Sequence, residues 1–334
     1  MFARARKWLI VLAVAAVLAL TALVIVTLGP APALTPLPNP NGYDDFLKAS
    51  AAVSANVGDY TIMSNDTLRE LVSTNAEALR LLRIGLSRKC AVPPDTALTN
   101  IGGLLPELAG MKRLAQLLAA QGRAQELENQ RAEAIHTYLD AIRFGNEISR
   151  GGVMIQRLVG IACEAIGRAP LPKLVPSLST EESRKLMSEL EEIDRTRVTW
   201  DEVCRGERRY ALHEMSAHMN PLMWAVGWWR FIAAKKRASD RNNWIIAQER
   251  LLAAELALRC YHADKSCVPA RLEDLVPAYL SKVPQDPFTG QPMIYRLQGT
   301  NWLLYSVGPD RVDNGGRPAA RTSSPSGDLL YNMP

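Results

Sequence analysis

The sequence predicts a mainly α protein that ends in a small α+β domain and is carried behind an N-terminal transmembrane helix. Three observations predict this: an uncharged apolar run at 8–28, helical periodicity from Tyr43 to about Lys236, and short apolar runs cut by Pro and Gly beyond Asn243. At 334 residues, 48% of them hydrophobic, the chain is long enough to bury two folded parts. Its net charge of +5 is the balance of 39 basic and 34 acidic residues spread along the whole length, which argues against a nucleic-acid partner.

The run "WLIVLAVAAVLALTALVIVTL", residues 8–28, contains no charge. A helix of about 20 residues spans the roughly 30 Å apolar core of a bilayer. Arg4, Arg6 and Lys7 precede it, and no Lys or Arg follows before Lys48. The positive-inside rule therefore leaves residues 1–7 as a cytoplasmic tail and puts the rest outside, in a bacterium on the outer side of the inner (cytoplasmic) membrane. A cleaved signal peptide is the competing reading, with Ala31, Pro32 and Ala33 as an A-x-A site, but its apolar region should run only about 7–15 residues. Residues 29–42 then carry five prolines, which fix φ and remove backbone donors, so this stretch reads as a semi-extended linker.

Residues 43–240 read as one helical domain. Helices are predicted over 44–58, 65–88, 107–121, 128–148, 153–168, 180–197, 200–219 and 221–238. Ser179 and Thr199 each have a Glu three residues on, Glu182 and Glu202, the spacing of a capping box. Ile135, Tyr138, Leu139 and Ile142 form an apolar stripe at i, i+3, i+4, i+7, and Gly122 permits two helices to approach closely. Past Asn243, residues 244–262 make a further amphipathic helix. "MIYRLQ" and "WLLYSV" flank the three-residue connection "GTN" and read as a β-hairpin. A long helix packed on a short antiparallel sheet is an α+β plan for 241–334.

Two resemblances follow from these motifs. Counting on from Gly122, Ala134, Tyr138 and Ala141 fall where a tetratricopeptide repeat places its small, aromatic and small residues, so 114–146 resembles a single such repeat. Gln121 and Asn146 depart from that pattern, and one repeat cannot bury its own faces. The stretch from about 245 to 334 resembles the C-terminal domain of the major, G-type pseudopilin of type II secretion systems. It does so through "VPQDPFTGQPMIYR", "WLLYSVGPDRVDNGG" and "GDLLYNMP", in order and spacing. That resemblance implies a structural Ca²⁺ held by the loop after the hairpin, with Asp310, Asp313 and Asp328 at the matching positions. Ca²⁺ chemistry agrees, since carboxylates and Asn314 sit among glycines; Asp and Asn are equally ordinary turn residues. The chain also departs from the family. Residues 8–28 hold no acidic residue and no Gly-Phe processing site, and some 200 helical residues separate the two ends, so assembly into a pilus by the family's route is not expected.

No catalytic set is legible. "HEMSAH", residues 213–218, places its histidines five apart rather than the four that puts two zinc ligands on one helix face. His136 and His262 are solitary, and no P-loop, nucleophile elbow or C-x-x-C pair appears. Cys163 reads as a buried space-filler. Cys260 and Cys267 can bridge if the chain reverses between them, or remain two packed thiols. The Trp-rich stretch 221–237 reads as a helix clamped between the two domains, with a membrane-lying helix as the alternative. The expectation is a non-enzymatic, single-pass membrane protein that serves protein contacts in an envelope or type II secretion-related assembly, with no small-molecule substrate. An exported metal-dependent hydrolase using the acidic loop, and a repeat-type peptide-binding scaffold, are the alternatives.

Overall fold

The computed structural model describes residues 36–54, 57–94, 101–217, 221–318 and 326–333. The apolar run 8–28 and the first part of the linker lie outside the described residues. Among the described residues no helix is long and apolar enough to cross a membrane.

Among the described residues the chain is mainly helical, with one two-stranded antiparallel sheet near the C-terminus. Its helices are α1 (Gly42–Ala51), α2 (Asn65–Thr74), α3 (Ala76–Leu86), α4 (Ile101–Leu127), α5 (Arg131–Glu147), α6 (Met154–Arg168), α7 (Leu171–Leu174), α8 (Thr180–Thr196), α9 (Trp200–Ala217) and α10 (Pro221–Lys265). Strands β1 (Ile294–Gln298) and β2 (Asn301–Tyr305) form the hairpin.

Among the boundaries that differ from the sequence expectation, three have a clear local reason. The predicted helix 65–88 breaks at Asn75, which is 1% exposed. Its side chain accepts from Ser54 N (2.9 Å) and donates to the Leu71 carbonyl (2.8 Å), so it closes α2 rather than continuing it. The predicted helices 221–238 and 244–262 are one continuous helix of 45 residues. Nothing between them is Gly or Pro, and Asn242 and Asn243 spend their side chains on Arg157 and on the Pro287 carbonyl instead of on their own backbone. The hairpin closes on two residues, Gly299 and Thr300, not three, because Gln298 pairs with Asn301. Gly299 at φ +64° supplies the turn whose twist matches the strands.

The two capping signals differ in outcome. Ser179 and Glu182 form the reciprocal box at 3.1 and 2.8 Å. Thr199 caps Glu202 N at 3.2 Å, but the Glu202 carboxylate turns away to accept from Gly151 N.

Helix α5 is the wall between two apolar cores. One face, through Ala141, Phe144 and Ile148, packs with α1 to α4. The predicted stripe Ile135, Tyr138, Leu139 and Ile142 packs with α8, α10 and the C-terminal elements. The expected domain boundary at 240/241 lies inside α10, and this second core takes residues from both sides of it. Two glycine contacts set the spacing. A Cβ on Gly122 of α4 would lie 2.4 Å from the Tyr138 ring, and one on Gly145 of α5 would lie 2.4 Å from the Gly160 carbonyl oxygen of α6.

All five cysteines are free thiols. The bridge considered between Cys260 and Cys267 is not formed: Cys260 is buried with its thiol on the Thr180 carbonyl, whereas Cys267 is exposed. Cys163 is buried in the first core, and burial pushes its thiol well above the usual range, as befits a space-filler.

Candidate functional site

The C-terminal motifs are fastened to one another. Asp286, in the "DPFTG" turn, is 2% exposed and accepts from Phe288 N in its own turn and from Val307 N at the end of β2, both at 2.9 Å. Trp302 of β2 donates to Glu255 of α10 at 2.8 Å, which holds the hairpin on the long helix. Beyond β2 the chain turns through 308–316, and Leu329 returns to pair with Ser306 while Asp328 bridges to Pro318. The three predicted aspartates therefore meet in one turn.

Their oxygens face protein donors. Asp310 accepts from Val312 N, Gly327 N and the Asn314 side-chain amide, at 3.1, 3.0 and 3.3 Å. Asp328, fully buried, accepts from Asn314 N on one oxygen and Gly316 N on the other, at 3.2 and 2.6 Å. Asp313 accepts from the Arg296 guanidinium at 2.5 Å on one oxygen and from Tyr305 Oη and Gly315 N, both 2.8 Å, on the other. Burial, and then its two carboxylate neighbours, raise Asp328 above the usual range, while amides from Asn314 and Gly316 pull the other way. Tyr305, the Gly315 amide and Arg296 hold Asp313 low.

A Ca²⁺ shell needs six to eight oxygens at about 2.3–2.6 Å. Among the described residues no three His, Cys, Asp or Glu side chains converge as metal ligands. The donor set found here, backbone amides plus a guanidinium, is that of a self-capped turn.

The "HEMSAH" side chains lie outside the described residues, as do the side chains of 221–233 in the Trp-rich stretch. His136 is an exposed i,i+4 neighbour of Asp140, with its Nδ1 3.5 Å from the carboxylate.

A second polar constellation has no counterpart in the sequence reading. Arg157 of α6, fully buried, donates to Glu164 on the same helix and to Asn242 of α10. Glu164, also fully buried, takes a second guanidinium from Arg197 at 2.6 Å, and Arg197 reaches on to Glu249 of α10. Asp194 stands 3.8 Å from Arg197 and pairs with Arg250 at 3.1 Å. Three guanidinium groups thus face three carboxylates. The network backs a cleft of ≈ 430 Å³ between α8, α10 and residues 280–284, lined by Leu190, Asp194, Glu249, Arg250, Leu280 and Pro284. Each of these carboxylates faces a guanidinium within the protein, the geometry of a buried cross-brace.

One signal in the sequence did point to this network. Glu249 sits at helical spacing from Ile245, Leu252 and Leu256, on the buried stripe of α10 where a charge requires a partner. The partner itself, 52 residues away, has no such signal.

Titration of this brace is predictable. Burial would raise Glu164, but Arg157 and Arg197 outweigh it and hold its carboxyl low. Burial pushes Glu249 up to about 7 from 4.5, Arg197 opposing and Glu164 adding to the rise. A raised folded-state value means that the stabilisation is complete below about 4.5 and is lost as pH rises through about 7. Chemical denaturation of the full chain in detergent from pH 5 to 8 is expected to show stability falling by about 2–4 kcal/mol on this account. Glu249→Gln, which keeps an acceptor for Arg197, is expected to flatten that slope; an unchanged slope in the variant would remove Glu249 as its source.

Comparison of the chain with protein-family models, curated proteins and solved structures gives no match.

Proposed function

We propose that the chain is a membrane-anchored, exported structural protein whose helical scaffold presents a pseudopilin-like C-terminal module to protein partners in a bacterial envelope or secretion-related assembly. The observation that carries the proposal is the uncharged run 8–28 with basic residues on its N-terminal side alone. The order of elements in 241–334 supports the module: a long helix, the Asp-Pro turn, the hairpin, and a return segment paired beside β2. The fusion of that module with the scaffold through one apolar core supports a load-bearing part over a hinged catalytic one.

Membranes from cells expressing the full chain provide the test. The protein is expected to resist alkaline carbonate extraction, and its body to be digested by protease added to spheroplasts. Crosslinking before solubilisation is then expected to recover subunits of a secretion or envelope assembly. Release by carbonate, or a body protected from external protease, would overturn the topology; a clean membrane topology without assembly subunits in the crosslinked fraction would overturn the role.

A further inference from the structure

We infer that Arg296 stands in for a metal ion in the turn after β2, so that this chain's pseudopilin-like module is closed by its own guanidinium and folds independently of calcium. Three carboxylates drawn into one turn need a positive charge nearby. Asp310 and Asp328 share Asn314, whose side-chain amide serves the first and whose backbone N–H serves the second. Asp313 lies close enough to raise Asp328.

Arg296 supplies that charge from a fixed place. The hairpin register pairs Arg296 on β1 with Leu303 on β2, two residues before Tyr305. The guanidinium lies 5.6 Å from the Tyr305 ring centroid and 2.5 Å from the Asp313 carboxylate. The Tyr305 hydroxyl donates to the other Asp313 oxygen at 2.8 Å. Strand, ring and carboxylate thus hold one permanent cation beside the turn, on a pair whose side chains are 49% and 40% exposed, since an Arg side chain stays protonated throughout the accessible pH range.

The remaining oxygens are already engaged by amides of the turn itself. Asp328 has an amide on each oxygen, and Gly327 N closes the return segment onto Asp310.

The test uses the full chain in detergent, with thermal unfolding and amide exchange at Gly315 and Gly316 measured in saturating Ca²⁺ and in EDTA. The wild-type midpoint and exchange rates are expected to be the same in both. Arg296→Gln is expected to speed exchange at these two amides about tenfold, Asp313→Asn to do the same, and the double variant to add nothing further. A wild-type midpoint that rises with Ca²⁺, exchange that slows with it, or an Arg296→Gln protein indistinguishable from wild type would each overturn the inference.

Discussion

Replacing Glu164 with Gln is expected to cost about 3–5 kcal/mol of unfolding free energy. Glu164 is fully buried and accepts from two guanidinium groups, Arg157 and Arg197, themselves buried. Gln keeps the shape but offers one oxygen where two were used and withdraws the charge that compensates both. The loss is one of uncompensated burial and not of bond strength. A well-packed apolar replacement of both Arg157 and Glu164, with Met and Leu, is accordingly expected to cost less than Glu164→Gln alone. Denaturation midpoints of the two variants, measured in the same detergent, decide the matter. A double variant as damaged as the single one would show that the pair stabilises the fold on its own account.

Gly160→Ala is expected to destabilise by about 3 kcal/mol, at the upper end of overpacking costs. Away from contacts, Ala in a helix interior gains about 1 kcal/mol over Gly, so the sign is decided by what the methyl meets. Here it meets the Gly145 carbonyl oxygen at 2.3 Å and Ser149 Oγ at 2.1 Å. The carbonyl belongs to the α5 backbone and moves only if the two helices separate. Gly122→Ala makes a useful contrast: its methyl meets the buried Tyr138 ring, a side chain and not the backbone of the neighbouring helix. Thermal unfolding is expected to rank Gly160→Ala well below Gly122→Ala, and the reverse order would mean that the α5–α6 contact relaxes more readily than its backbone geometry implies.

The sequence carried the helical part of this fold because periodicity is a local signal. The stripe Ile135, Tyr138, Leu139 and Ile142 is buried as a set, and the Ser179 box closes as its spacing requires. What local reading lost was decided by distant partners. Asn75 stops α2 because Ser54 needs its oxygen, and Asn242 lets α10 run on because Arg157 takes its side chain. The candidate site divides the same way. Acidic residues among glycines located the turn that holds Asp310, Asp313 and Asp328. The residue that gives the turn its charge, Arg296, lies 17 positions from Asp313 and reaches it only through the hairpin register. The brace around Glu164 was hidden because a charge inside an apolar stripe is legible as an anomaly, while its counter-charge on another helix is not.

The unbroken run of α10 has a mechanical consequence. Its 45 residues make a strut roughly 65–70 Å long. One stretch of it is riveted to the α6 network by Asn242 and Glu249, and the next carries the hairpin on Glu255. A push or torque delivered to the hairpin by a neighbour would travel along that strut into the scaffold without a joint to absorb it.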